Sequence, residues 1–129
     1  MMQADVKSEI TKAVRTAKPH GREICGLLID NGHFIELHQT KNQAKAGGSF
    51  CFNAKEIRSL VRAATMMNHS VVGTFHSHPS GISSPGPGDI TNAVDRSLML
   101  IIDCMEQRAD LWSIKNGKVK KAKLKLMEA

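Results

Sequence analysis

Aromatic side chains are scarce in this chain, with no tyrosine, one tryptophan and four phenylalanines among 129 residues. Proteins that bind single-stranded nucleic acid stack bases on aromatic rings, so the scarcity argues against nucleic acid as a partner. Cysteine is rarer still. Cys25, Cys51 and Cys104 are odd in number, widely spaced and set among apolar residues. That usage argues against a disulfide framework and predicts reduced, mostly buried thiols in a cytoplasmic setting. No two cysteines form a C-x-x-C pair, which argues against a zinc ribbon. No apolar run approaches the ~20 residues of a membrane span. The first residues, Met1 to Val6, lack the basic-then-apolar order of a signal peptide. Repeats, linkers and low-complexity tracts are also missing.

The length matches one domain of roughly 100–150 residues, here residues 1–129. Hydrophobic content of 41% and charged content of 23% are ordinary for a soluble globular protein. The net charge is +6, and much of the excess lies in Lys115, Lys118, Lys120, Lys121, Lys123 and Lys125. A solvated strand face explains this run, although a basic surface also steers acidic protein partners.

Hydrophobic spacing divides the chain into short elements. Val6, Ile10, Ala13, Val14 and Ala17 recur at helical spacing, and the helix should end before Pro19. Ile24 to Asp30 reads as a buried strand, and Asn31-Gly32 as a two-residue hairpin turn into His33–His38. A polar loop from Thr40 to Ser49 follows. Asn53 with Glu56 marks a helix start, with Ile57, Leu60, Val61 and Ala64 as its buried stripe and Met66 and Met67 completing its packing. Leu98–Cys104 and Ala109–Ile114 read as core strands, and Asn116-Gly117 as a second hairpin. The last strand turns Ala122, Leu124 and Leu126 inward and Lys121, Lys123 and Lys125 outward. The expected fold is a single α/β domain, a mixed sheet flanked by helices.

One segment carries the chemistry. Ser70-Val71-Val72-Gly73-Thr74-Phe75 is a β-branched apolar run, and it leads into His76-Ser77-His78-Pro79. Side chains alternate along a strand, so His76 and His78 share a face and Ser77 turns away. Pro79 stops the strand, and a Gly/Pro/Ser-rich loop brings the chain round to Asp89, expected to open a helix running to about Asp95. Two imidazoles and one carboxylate, with a fourth position open to water, form a catalytic zinc pattern rather than a structural one. A further carboxylate, Glu23, stands beside the apolar strand upstream.

Glu23-Ile24-Cys25-Gly26-Leu27-Leu28, His76-Ser77-His78-Pro79 and Asp89 together resemble the JAMM (JAB1/MPN) family of zinc metalloproteases, in its small prokaryotic-type branch. The resemblance implies the JAMM/MPN, cytidine-deaminase-like architecture. It implies one zinc ion per chain held by His76, His78 and Asp89, and Glu23 as general acid/base. The family motif has a serine three residues before the aspartate, where this chain has Gly86. That serine supports the oxyanion of the tetrahedral intermediate; Ser83, Ser84 or the N–H of Gly86 are the groups nearest in sequence to replace it. The implied function is a zinc-dependent isopeptidase or peptidase that cleaves after the C-terminal Gly-Gly of a ubiquitin-like or sulfur-carrier protein. A zinc-holding scaffold with weak or no catalysis is the alternative that Gly86 keeps open.

Overall fold

The computed structural model describes residues 2–17, 21–44, 50, 52–91 and 93–126. Eleven elements follow in order: β1 (Met2–Asp5), α1 (Lys7–Ala17), β2 (Cys25–Asp30), β3 (Ile35–Thr40), α2 (Ala54–Met66), β4 (Ser70–His78), α3 (Pro87–Thr91), β5 (Ser97–Asp103), β6 (Arg108–Lys115), β7 (Lys118–Ala122) and β8 (Leu124–Leu126). The eight strands make one mixed sheet in the order β7-β6-β5-β4-β2-β3-β1-β8. The pairs β1–β3, β1–β8 and β4–β5 are parallel, and the other pairs are antiparallel.

This order has a geometric consequence. β7 and β8 lie at opposite ends of the sheet, yet Lys123 alone separates them in the chain. One residue spans at most ~3.6 Å, so the two edges must meet and the sheet must curl nearly into a barrel. The expected last strand is therefore two strands: its first half pairs with β6 and its second half with β1. Ala122 and Leu124 pack on the core, as their alternation predicts.

The inner face of the curl packs against one side of α1. Ala13 is fully buried and Ile10, Val14 and Ala17 pack against Leu28, Leu37, Phe75, Leu100 and Leu111 among others. The outer face carries two smaller clusters. Leu27 and Ile29 of β2 meet Ile57, Leu60 and Ala64 of α2, and Met99, Ile101 and Ile114 meet Ala93, Trp112 and Val119. Asn53 caps α2 by accepting from the Glu56 N–H at 3.1 Å. Glu56 itself turns outward to accept from the Lys41 N–H at 2.8 Å.

Several expectations need correction. Met66 and Met67 are 82% and 65% exposed, so they do not complete the packing of α2. Val61 is also exposed. The turn after β2 is a four-residue loop, because Asp30 pairs with Ile35. Asn31 organises it by accepting from the N–H groups of His33 and Phe34. Asn116-Gly117 is the two-residue turn expected, with both φ values positive and Lys115 opposite Lys118. β1 was not anticipated, since four residues carry too little periodicity to be told from helix N-terminal residues. The loop residues 45–49 and Cys51 lie outside the described residues. Cys25 and Cys104 are buried.

Candidate metal centre

β4 is an interior strand, paired to β2 on one side and to β5 on the other. Phe75 and Ser77 face inward, both fully buried, while His76 and His78 face outward between the two outer clusters. The inward Ser77 is more than a spacer. Its hydroxyl accepts from the Ile24 N–H at 2.9 Å, and its own N–H donates to the Ile24 carbonyl at 3.1 Å. This double clasp extends the β2–β4 pairing past Cys25 and holds the backbone of Glu23 at the end of β4. Asn42 secures the other side by donating to the Glu23 carbonyl at 2.8 Å.

The loop after Pro79 returns to α3. Gly86 stands at the N-terminus of this helix, where Ile90 N–H reaches its carbonyl, and Asp89 reaches back to accept from the Gly86 N–H at 2.9 Å. Asp89 thus serves as a cap residue and as a member of the site at once. The helix begins at Pro87 rather than at Asp89 and ends at Thr91, short of the expected Asp95.

Donor atoms of three residues converge. Nε2 of His76 lies 3.0 Å from Nε2 of His78 and 3.2 Å from Oδ1 of Asp89. Nε2 of His78 lies 3.2 Å from Oδ2 of Asp89. Zinc–nitrogen bonds of about 2.0–2.1 Å in a tetrahedron put neighbouring donors roughly 3.3 Å apart, and the spacings of the two imidazoles and the Asp89 carboxylate suit a shared cation. The hydrogen bonding agrees. Nδ1 of His78 faces the Ile82 carbonyl at 3.1 Å, and a carbonyl only accepts, so that nitrogen carries the proton. In the neutral ring Nε2 then presents a lone pair to Asp89 and His76. Lone pairs facing a carboxylate repel unless a cation lies between them. Nδ1 of His76 has no hydrogen-bond partner among the described residues, and its ring stacks on Phe50 at 4.5 Å.

Electrostatics separate the two carboxyl groups. Burial and the nearby Asp89 charge push the Glu23 carboxyl up to about 7. Burial would also raise Asp89, but hydrogen bonding and charge from His76, the Gly86 N–H and the His78 charge outweigh it and hold Asp89 at about 2. Two carboxyl groups whose environments drive them apart can divide roles between ligand and proton carrier.

Glu23, Ser84, Gly86 and Asp89 line one cleft of about 520 Å³ with His78. Glu23 and Asp89 also line a second, larger groove of about 1070 Å³ walled by Phe52, Ile57, Val72 and Leu98. Ser83 is elsewhere. It is 4% exposed, and its hydroxyl donates to Asp110 on β6, which turns it away from the ligand triad. Sequence reasoning also missed Ser77, Asn42 and Phe50. Only Ser77 left a signal, as a polar residue alternating inward within an apolar strand.

The mixed, curled sheet defines an α/β domain, and the His-His-Asp cluster at the end of an interior strand could hold a metal ion. Residues 3–115 match the model of the prokaryotic homologs of the JAB domain. The chain belongs to that family, as its motif residues implied. Solved structures agree in fold. A protein of Desulfitobacterium hafniense superposes with a TM-score of 0.79 at 23% identity, over 100% of this chain and 94% of that one. A JAB1/MPN domain protein of Archaeoglobus fulgidus does so with a TM-score of 0.61 at 18% identity, over 99% of this chain and 100% of that one. A structure described as JAMM, a metalloprotease-like zinc site in the proteasome and signalosome, gives 0.51 at 18% identity, over 99% of this chain and 98% of that one. The curated proteins give no match.

Proposed function

We infer that the protein is a zinc metallopeptidase that cleaves after the C-terminal Gly-Gly of a ubiquitin-like or sulfur-carrier protein. The observation that carries this reading is the convergence of His76, His78 and Asp89 beside a cleft lined by His78, Asp89 and the buried Glu23. When bound there, zinc supplies Lewis acidity and lowers the pKa of a water towards neutrality. Glu23 takes the proton of the attacking water and returns it to the leaving amine. Burial raises its carboxyl to about 7 in the metal-free protein, which favours a group that can both hold and release a proton near neutral pH. Asp89 stays ionised through the same range and serves as the anionic ligand.

The two depressions meet at Glu23 and Asp89, which leaves room for chain on either side of a scissile bond. β4 has strand neighbours on both sides, and strand addition needs an open edge. The tail therefore enters along the groove rather than pairing with β4. Small terminal residues suit a passage walled by Phe52 and Leu98.

A second reading, a zinc-holding module with weak or no turnover, draws on position 86, where no hydroxyl stands and the N–H is already given to Asp89. Hydrolysis of a Gly-Gly-linked ubiquitin-like fusion by zinc-loaded enzyme separates the two. Cleavage by wild type and none by E23Q is the expected result. Equal cleavage by both would remove Glu23 from the mechanism, and no cleavage of any Gly-Gly fusion by a zinc-loaded wild type would favour the module.

A further inference from the structure

Ile82 is in a conformation that nothing in its own side chain favours. Its φ is +73°, a region that β-branched residues almost never enter. Its side chain is 68% exposed, so burial does not hold it there. The constraint comes from the next residue. Ser83 is gripped twice by β6: its hydroxyl donates to Asp110, and its carbonyl accepts from Nε1–H of Trp112 at 2.7 Å. Arg108 reinforces the grip, with Nη2 at 3.3 Å from the Ser83 hydroxyl and 3.2 Å from Asp110. Lys121 of β7 adds a 3.5 Å ion pair to Asp110. On the other side Gly81, at φ +100°, donates to the His78 carbonyl at 3.2 Å and closes the turn through Pro79.

With both ends pinned, the peptide of Ile82 has one freedom left, and it is spent on His78. The Ile82 carbonyl lies 3.1 Å from Nδ1 of that ring, which fixes the proton on Nδ1 and leaves the Nε2 lone pair facing His76 and Asp89. Partners of this kind orient ligating imidazoles and raise their basicity. We propose that Ser83, Asp110 and Trp112 form a positioning clamp that forces Ile82 into its left-handed conformation and thereby sets the tautomer and aim of His78. Ser83 is thus a positioning residue for the metal rather than an oxyanion donor, and the tryptophan acts through two intervening residues without touching the site. The clamp rests on the metal reading above, but its effect on the ring does not need the metal to be present.

Two measurements on the full chain test it. The first is zinc affinity by chelator competition for wild type, S83A and W112F, with far-UV circular dichroism and thermal unfolding of the metal-free forms as the check on folding. The second is the ¹⁵N–¹H correlation of the His78 ring in the metal-free proteins. The clamp predicts a proton on Nδ1 in the wild type, a mixture of tautomers in both variants, and zinc binding weakened about tenfold or more. Glycine accepts a positive φ at no steric cost, so I82G/W112F should recover part of what W112F loses. If W112F fails to fold, S83A alone decides, because it deletes one oxygen. Folded variants with wild-type zinc affinity and an unchanged ring would overturn the clamp, as would a wild-type His78 protonated on Nε2. A wild type that takes up no zinc would count against the metal reading instead, while the ring's tautomer would still decide the clamp.

Discussion

Position 86 departs from the family motif, and its surroundings say what the departure does. A Cβ added to Gly86 would meet only Oδ2 of Asp89, at an ordinary 3.7 Å, so a serine fits without displacing backbone. Since Ser83 is tied to β6, a hydroxyl at residue 86 would restore a donor that the cleft otherwise draws from Ser84 or from backbone. G86S should raise kcat by about tenfold or more and leave zinc affinity unchanged; steady-state kinetics beside a zinc titration read both. Glu23 supports a second prediction. Its folded carboxyl titrates at about 7 against an ordinary 4.5. Below the ordinary value both folded and unfolded chains hold the proton. Between the two, the unfolded chain releases it while the folded chain keeps it, so metal-free stability falls as pH rises through that window. At about 1.4 kcal/mol per pH unit the loss reaches on the order of 3 kcal/mol above neutrality. Urea midpoints at pH 5 and pH 8 should therefore fall for the metal-free wild type and stay nearly level for E23Q. At this scale the sequence was informative for His76, His78, Asp89 and Glu23, because strand alternation and one loop are local facts. It was silent on Asn42, Phe50 and Trp112, whose roles depend on partners far along the chain.

Among the elements, β2 and β4 set the precision of the site. Gly26 is a tight point of that pair: a Cβ there would lie 2.1 Å from the His38 carbonyl oxygen and 2.5 Å from the Phe75 ring. The glycine is required by the close approach of β3 behind it, one residue from Cys25, which stands opposite His76. G26A should destabilise the fold by about 1–3 kcal/mol through overpacking and weaken zinc binding in parallel, as read by denaturant midpoint and metal titration. β2 was legible as a buried apolar run, β4 as an apolar, β-branched one, and the Asn116-Gly117 turn as a dipeptide suited to positive φ. The loop after β2 was misread for a physical reason. Asn31 and Asp30 offer side-chain oxygens to the backbone N–H groups of residues 32–34, which stabilises a longer loop than the Asn-Gly pair alone requires.

At the scale of the molecule, closure of the sheet keeps the pieces in register. The chain from Lys118 to Leu126 pairs first with β6 and then with β1, joining the strand that carries Asp110 and Trp112 to the far side of the curl. L124D would place a carboxylate against the core cluster that Leu124 packs on, at a cost of roughly 2–3 kcal/mol. The lowered unfolding midpoint should come with faster proteolysis after Ala122. That a terminal strand splits between two edges could not be read from its alternation, which is identical for one strand or two; only the pairing partners distinguish them. The mixed sheet with flanking helices was legible, whereas its curling against α1 was not.

The central claim is that His76, His78 and Asp89 together hold one zinc ion while Glu23 does not. Zinc content after dialysis, measured by inductively coupled plasma mass spectrometry on wild type, E23Q, H78A and D89A, tests it most directly. The account predicts one zinc per chain in wild type and E23Q and almost none in H78A and D89A. Zinc retained by folded H78A and D89A, or lost from folded E23Q, would contradict it.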